Sequence, residues 1–346
     1  MPTILGGLSL PANATAAAPP APPLASLRAD LGKNLPLWLY LLCGVLLFNT
    51  ALTNLGRPRP DLAWAAVFPL GLFSLIQLLR AARAGAPSER RLLLASLAFP
   101  ALLPPLILAV QRPSPLSHRG LLVAYELSSF AWGALLIWHA WRLRPALVAL
   151  FFGAGLFYGA LLENGGILLG FFHEQNLKLT QIPPLPAPLA TVVGWSVVLM
   201  MGTCVTWQLR ALFPALRRSP LGSALLVAVT ATTLDLQIDP LATAAGAWSW
   251  HPSLPPWFLG VPRLNYLAWM CALVPFAWAL FRHQERTGLA DAGAFGAADV
   301  WALTRAAPAI LAIAALLFLG AITLLEGPRG PSWEILFTFG WKVLGS

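Results

Sequence analysis

Charged residues are scarce in this chain. Asp, Glu, Lys and Arg make up 10% of its 346 residues, whereas an ordinary soluble domain contains about 25%. Hydrophobic residues make up 58%, and the mean hydropathy is +0.72. A soluble protein of this composition would have too few polar groups to cover its surface. The composition therefore excludes a water-soluble enzyme and predicts an all-α, polytopic integral membrane protein.

Cysteine is also rare, and the common cofactor motifs are missing. The three cysteines, Cys43, Cys204 and Cys271, lie far apart within apolar stretches and show no CxxC or CxxH spacing. They are predicted to be buried hydrophobic side chains rather than a disulfide framework or a metal site. The sequence has no P-loop and no GxGxxG motif between a strand and a helix. It therefore predicts no organic cofactor and no metal.

Positive charge outweighs negative charge, with a formal net charge of +9. The 22 Lys and Arg residues are scattered in short loops between apolar runs instead of forming one polar element. This distribution is typical of membrane topology and argues against a nucleic-acid partner. If the apolar runs alternate across the bilayer, fourteen of the 22 fall on the side of the N-terminus. The positive-inside rule then predicts a cytoplasmic N-terminus.

Runs of about 20 apolar residues, long enough to cross the hydrocarbon layer, recur along the chain. They predict a bundle of eight or nine transmembrane helices over residues 35–325. The predicted spans are 35–54, 62–82, 91–111, 120–141, 145–170, 188–213, 220–236, 264–282 and 300–325. Residues 1–34, rich in Pro and Ala, are predicted to form a disordered cytoplasmic tail. Residues 326–346 are predicted to form an interfacial C-terminal tail.

Three carboxyl groups lie clearly within predicted spans, where an ionisable group costs about 2.5 to 3.5 kcal/mol even on the lenient insertion scale. They belong to Glu126, Glu163 and Asp235, and Asp239 follows just beyond the seventh span. At 1.5 Å per residue, the three lie about 9, 27 and 22 Å along their helices. Because the helices alternate in direction, all three are predicted to lie in the non-cytoplasmic half of the membrane. Groups that are so costly to bury are expected to carry the function.

Glu163 shares a helical face with small residues. Gly155, Gly159 and Glu163 are spaced i, i+4, i+8, and Gly166 and Gly170 continue the same stripe. Because helices pack closely at such stripes, the Glu163 carboxyl is expected to point into the bundle. The alternative is that the glycines form only a packing seam, with the glutamate paired to a nearby Arg or backbone group.

Asp235 and Asp239 lie four residues apart, so they share a face if their helix continues that far. Asp239 precedes Pro240, which also makes it a candidate helix N-cap followed by a first-turn proline. Capping does not account for Asp235, which lies inside the apolar run. Glu126 lies near the start of a predicted helix, where compensation of the helix dipole alone would explain it.

The loops 171–187 and 237–263 are longer than the other loops on the non-cytoplasmic side. The second loop is rich in Trp and Pro, and it is predicted to fold back onto the bundle or to lie among the lipid headgroups. His173 and His251 lie in these loops and could relay protons. The alternative is that they are ordinary solvated histidines.

Two segments contain clusters of Gly, Pro, Trp and acidic residues. The more specific segment contains Asp235, Asp239-Pro240, Gly246, Trp248-Ser249-Trp250, Gly260-Val261-Pro262, Asn265 and Trp269. The other segment contains Glu163-Asn164-Gly165-Gly166, Gly170-Phe171 and a Pro-rich stretch that leads to Trp195. Both segments resemble the membrane hydratases of carotenoid biosynthesis, which add water to the terminal double bond of γ-carotene or of bacterioruberin precursors. Together they cover about a third of the chain. After Phe171 the chain departs from the Gly- and Tyr-rich tract of that family, which bears on the substrate rather than on membership.

The resemblance implies acid-catalysed hydration of the terminal C=C bond of a carotene, with water as cosubstrate and the lipid bilayer as surroundings. Such a reaction needs a carboxylic acid as proton donor, a stabilised tertiary carbocation and an activated water. Burial raises the pKa of a carboxyl group, so that it remains an acid at neutral pH, and indole faces stabilise cations. The candidate catalytic residues are Glu163, Asp235 and Asp239, and the candidate substrate-binding residues within the resembling segments are Trp195, Trp248, Trp250 and Asn265. His251 and Glu126 are added as candidate substrate-binding residues because of their predicted positions on the same side of the membrane. Which carboxyl group is the acid and which is the base stays open.

Two other classes of protein fit part of the pattern. An intramembrane prenyltransferase binds magnesium diphosphate through two Asp-rich motifs, but this chain has one DxxxD and neither a second cluster nor an adjacent basic set. A proton-coupled transporter also contains intramembrane acids, but paired symmetric halves are missing here. The sequence leaves open the identity of the carotene, the number of ends hydrated and the oligomeric state.

Overall fold

The computed structural model describes residues 118–174, 180–212, 214–244, 246–258, 260–289 and 294–344. The predicted tail 1–34 and the predicted spans 35–54, 62–82 and 91–111 lie outside these residues. All of the predicted site residues lie within the described part of the chain.

The described part is mainly helical. Its helices are α1 His118–Leu143, α2 Pro145–Leu169, α3 Leu189–Leu212, α4 Pro214–Arg217, α5 Pro220–Ala244, α6 Arg263–Thr287, α7 Ala297–Glu326 and α8 Pro331–Leu344. The six long helices coincide with the last six predicted spans, apart from a few terminal residues and the end of α5. The total of eight or nine spans stays a prediction, as does the interfacial position of the C-terminal tail, most of which forms α8.

Four of these helices contain segments long and apolar enough to cross a membrane: α2, Leu189–Trp207 of α3, α6 and α7. α5 contains a shorter apolar stretch, Pro220–Leu236. Large hydrophobic side chains are exposed on the outside of α7, where Leu316 is 68% exposed and Leu324 is 89% exposed. An outer face of this kind is suited to contact with lipid chains rather than water.

α2 is one continuous helix, but its hydrogen-bonding pattern changes along its length. It begins at Pro145, since a proline ring suits the first turn of a helix, and it passes through a π-helical stretch, Ala149–Ala154. It ends at Gly170, which adopts the left-handed conformation with φ +86°. Glycine is favoured there because it has no Cβ to clash. This turn directs the chain out of α2 and into the first β-strand.

α5 extends to Ala244, well beyond the predicted end at residue 236. Asp239 and Pro240 therefore lie inside the helix, and the interpretation of Asp239 as an N-cap is wrong. Pro240 removes one backbone donor, but the last turn of α5 is held by packing, because Ala242 is buried against Trp248. Asp235 and Asp239 consequently share one face of a continuous helix, as their spacing predicts.

Two small antiparallel sheets accompany the helices, and the prediction of a mainly helical fold is confirmed. β1 Phe172–Glu174 pairs with β2 Trp248–Trp250, and β3 Pro256–Phe258 pairs with β4 Val261–Pro262. The predicted loop 237–263 is therefore mostly structured. None of these four strands is longer than three residues, so none of them shows the alternation over four or more residues that reveals a strand in a sequence.

α3 lies at the centre of the bundle, with 72% of its apolar segment buried. It packs against α1, α2 and α5, while α5 packs closely along α6 and α6 along α7. Where α3 meets α5, a Cβ on Gly202 would lie only 3.2 Å from the carbonyl oxygen of Val227. This close packing arranges the helices around one internal space next to the β1–β2 sheet.

Candidate active site

A cavity of about 560 Å³ lies between the long helices and beside the β1–β2 sheet. Its wall is mostly apolar. Five tryptophans line it: Trp132, Trp195, Trp248, Trp250 and Trp269. The other polar side chains on the wall are Ser129, Glu163, Thr191, Asp239, Asn265 and Cys271. An apolar cavity with a few convergent polar groups is typical of a binding site for a small apolar molecule.

Glu163 is held by an indole group. Trp195 Nε1 donates a hydrogen bond to Glu163 Oε2 at 2.6 Å, and the Trp195 ring stacks on Trp269 with 4.5 Å between the ring centroids. Gly159 allows this approach, because a Cβ at Gly159 would lie 2.4 Å from Trp195 Cβ. The glycine stripe and the inward direction of Glu163 are therefore parts of one arrangement.

Glu174, the last residue of β1, lies next to Glu163 on the side away from the cavity. It does not line the cavity, and its carboxyl group shares a hydrogen bond with that of Glu163. Thr191 Oγ1 donates to Glu174 Oε2 at 3.4 Å. Burial raises the pKa of Glu174 to about 10, and the neighbouring charge of Glu163 acts in the same direction. Glu174 is therefore protonated at neutral pH and supplies the proton in the hydrogen bond between the two carboxyl groups.

Asp235 and Asp239 form a second carboxyl pair. Asp239 lines the cavity and Asp235, behind it, is fully buried. Asn265 Nδ2 donates to Asp235 Oδ2 at 2.7 Å and also to Asp239 Oδ2. The two carboxyl groups share a hydrogen bond as well, which requires a proton on one of them. Asp239 is close enough to Glu163 for their charges to interact, so the two pairs adjoin one cavity from α2 and α5.

β2 contributes two side chains to the cavity wall, Trp248 and Trp250. Trp250 lies opposite Phe172 in the strand pair, with ring centroids 5.6 Å apart. Its Nε1 donates to Thr243 Oγ1 at 3.2 Å. Trp248 is buried. This part of the predicted loop therefore folds back onto the bundle, whereas Trp257 is exposed.

Three candidate residues lie away from the cavity. Glu126 is buried, and its Oε2 accepts hydrogen bonds from the Thr180 backbone N–H at 2.9 Å and from Thr180 Oγ1 at 2.5 Å. These bonds join α1 to the segment before α3. His251 Nδ1 accepts from the Ser253 N–H at 3.2 Å, and His173 is exposed. None of the three lines the cavity.

Sequence reasoning missed three residues at or near the site. Glu174 lies in a predicted loop, where a carboxyl group gives no sign of burial. Trp132 is one of 15 tryptophans, and nothing in its spacing distinguishes it from tryptophans at the lipid headgroups. Tyr266 has a buried hydroxyl without a hydrogen-bond partner among the described residues, close enough to the aspartate pair to interact with it. Its position next to Asn265 was the available signal.

Replacing Glu174 with glutamine is expected to flatten the pH dependence of stability. On folding, the pKa of Glu174 rises from its ordinary value of 4.5 to about 10, so the folded protein holds a proton that the unfolded chain releases between these values. The stability linked to the protonated group is complete below about pH 4.5 and is lost as the pH rises through about 10. The thermal midpoint in detergent should therefore fall more steeply towards alkaline pH in the wild type than in Glu174→Gln.

A matched control for this measurement is Glu334→Gln, because Glu334 is exposed near the start of α8. Its thermal midpoint should follow the wild-type slope with pH. Equal slopes in the wild type and Glu174→Gln would show that Glu174 does not keep its proton in the folded protein.

The arrangement of groups defines the chemistry that the cavity can support. It offers an apolar volume for a hydrocarbon, indole faces and two carboxyl pairs that each hold a proton. Such a site can donate a proton from one wall and accept one at another. Within the described ranges, no group of three or more His, Cys, Asp or Glu side chains is placed to hold a metal ion.

Comparison with known proteins places the chain in a family. A model of the family described as "Carotenoid biosynthesis protein" matches residues 122–327, which is more than half of the chain. The matched segment contains both carboxyl pairs and the five tryptophans of the cavity. No curated protein and no solved structure matches. The chain therefore belongs to the carotenoid biosynthesis protein family, and it acts in that pathway on a carotenoid-type substrate.

Proposed function

We propose that the protein is a hydratase that adds water to the terminal C=C bond of a carotene. The observation that carries this proposal is the presence of two carboxyl pairs at one tryptophan-lined, otherwise apolar cavity. A hydrocarbon has no polar group for a protein to recognise, so it is bound through shape and dispersion contacts. The acids are then needed only at its reactive end. The apolar helices are proposed to cross the bilayer several times, with the N-terminus in the cytoplasm.

Glu163 is the proton donor in this mechanism. It reaches the cavity, and Glu174 behind it holds a proton at neutral pH and is hydrogen-bonded to it. The proton that Glu174 holds moves along this hydrogen bond to Glu163, and Glu163 then delivers a proton to the alkene at the cavity wall. The alkene π electrons form the new C–H bond at the less substituted carbon and leave a tertiary carbocation at the other carbon.

Indole rings stabilise this carbocation until water attacks. Trp195 and Trp269 are stacked beside Glu163, and Trp248 and Trp250 also line the cavity. The face of an indole attracts a cation with about 0.5 to 2 kcal/mol. This attraction is electrostatic and forms no covalent bond, so the cation remains free to react with water.

Asp239 is the base. Asn265 donates hydrogen bonds to both aspartates, which stabilises negative charge on this pair. A lone pair of the water oxygen forms the C–O bond, and one proton of that water passes to Asp239. The product is a tertiary alcohol. Return of the proton from Asp239 to Glu163 restores the starting state, so water is the only cosubstrate consumed.

Expression in a host that accumulates lycopene or γ-carotene tests the proposal. The expected products are carotenoids that have gained the mass of one or two waters. Purified protein should form the same product in detergent micelles, where transport has no meaning, and this separates a hydratase from a carrier. Unchanged carotenoids in both hosts, with the protein present in the membrane, would contradict the proposal.

A further inference from the structure

A second cavity of about 350 Å³ adjoins the first. It lies between the first half of α2, the C-terminal half of α6 and the first half of α7. Leu161 and Leu311 line both cavities. Leu161 is also 40% exposed at the surface of the bundle. The two cavities therefore meet beside Leu161 on α2 and Leu311 on α7.

The combined length of the two cavities matches an extended hydrocarbon. α2 lines the second cavity from Leu150 onwards and the first cavity at Glu163, where the reactive end is placed. At 1.5 Å per residue the distance between these two residues is about 20 Å. An extended chain of single-bonded atoms advances about 1.2 Å per bond, as the 3.6 Å repeat of three backbone bonds shows, so this space takes roughly 16 bonds. This length accommodates a large part of a polyene.

The described wall of the second cavity has no hydroxyl group left to donate a hydrogen bond to a ligand. Two hydroxyl groups are present on its wall, and each is already satisfied within the protein. Tyr158 Oη donates to the Ala272 carbonyl oxygen at 2.7 Å, and Thr304 Oγ1 donates to the Val300 carbonyl oxygen at 2.8 Å. Its other lining side chains are apolar. A ligand in this cavity is therefore a hydrocarbon.

We propose that the second cavity binds the unreacted length of the polyene while its terminal double bond reaches Glu163. This inference rests on the proposed hydratase function for the identity of the ligand. Recognition of the long chain then takes place in a different part of the protein from the chemistry. The small residues Gly153, Ala154 and Ala307 on the wall of the second cavity keep the path open.

Filling each cavity separately tests the inference. A Cβ on Gly153, in the second cavity, would meet no atom within 4 Å, and the same holds for Gly165, in the first. Gly320 on α7 is equally free of neighbours but lines neither cavity. Gly153→Leu, Gly165→Leu and Gly320→Leu are thus matched substitutions that fill the second cavity, the first cavity and the lipid-facing surface.

Two substrates distinguish the cavities: a full-length carotene and a short alkene with the same isoprenoid end. Gly153→Leu should raise KM for the carotene at least about tenfold, roughly 1.4 kcal/mol of lost binding, and leave the short alkene unaffected. Gly165→Leu should impair both substrates, and Gly320→Leu neither. Unchanged KM for the carotene in Gly153→Leu would overturn the inference and leave the second cavity to a lipid chain.

A binding measurement separates this inference from the hydratase proposal. Binding of the carotene to purified protein induces circular dichroism in its visible absorption band, without any turnover. Loss of that signal in Gly153→Leu, together with no hydration by the wild type, would support the polyene cavity and contradict the hydratase. An unchanged signal in Gly153→Leu, together with normal hydration, would overturn the polyene cavity alone.

Discussion

Glu163→Gln is expected to lower the rate of carotene hydration by about 10³-fold, within the range that general acids contribute. The amide keeps the size of the side chain, and its carbonyl oxygen can still accept the hydrogen bond from Trp195 Nε1. It has no proton acidic enough to give to an alkene. Glu174 cannot replace it, because Glu174 does not line the cavity. The rate is measured as tertiary alcohol formed by purified protein in detergent at saturating carotene.

The effect should fall on kcat and spare KM, because the apolar walls that bind the polyene are unchanged. Glu334→Gln is the matched control for the chemical change, since Glu334 lies outside the cavity on an exposed face. Both variants should keep the wild-type thermal midpoint to within a few degrees. A general acid is expected to contribute at least about 100-fold to the rate. A Glu163→Gln variant that retains more than about a tenth of the wild-type rate would therefore show that Glu163 is not the proton donor.

Asp239→Asn is expected to lower hydration by about 10²- to 10³-fold while protonation of the alkene continues. Glu163 can still deliver a proton, but the carbocation lacks a base to activate water and returns to an alkene by losing a proton from a neighbouring carbon. In D₂O the recovered carotene should therefore gain deuterium with Asp239→Asn and gain none with Glu163→Gln. Mass spectrometry of the unreacted substrate measures this exchange.

The deuterium experiment assigns the two roles independently of the overall rate. Carotene incubated in D₂O without protein provides the background. Deuterium gained with Glu163→Gln and not with Asp239→Asn would exchange the roles, with the aspartate pair as acid and the glutamate pair as base. Absence of exchange with both variants would contradict the separation into an acid and a base.

Local patterns in the sequence were sufficient to predict the long helices and the direction of Glu163. Apolar runs of membrane-spanning length marked the helices, and the glycine stripe marked the face of α2 that packs on α3. The contact of Gly159 with Trp195 is what that stripe predicts. The spacing of Asp235 and Asp239 predicted their shared face, because the helix continues through Pro240.

The partners of the acids could not be predicted in the same way, because they depend on contacts between distant parts of the chain. Glu174 reaches Glu163 through the turn at Gly170 and the pairing of β1 with β2, strands far apart in the sequence. Asn265 is 30 residues from Asp235. Glu126 was a candidate because it lies in an apolar run, but it does not line the cavity. Its Oε2 accepts two hydrogen bonds from Thr180, which is 54 residues away and could not be identified as its partner from the sequence.

The placement of both carboxyl pairs at one cavity has a consequence for the energetics of the cell. In the proposed mechanism, the proton that leaves Glu163 is recovered by Asp239 at the same cavity, so a complete turnover would displace no charge across the bilayer. A transmembrane voltage acts with about 2.3 kcal/mol per elementary charge per 100 mV, but only on charge that crosses. We therefore expect hydration by this mechanism to be independent of the membrane potential, with the same rate in energised and in depolarised cells.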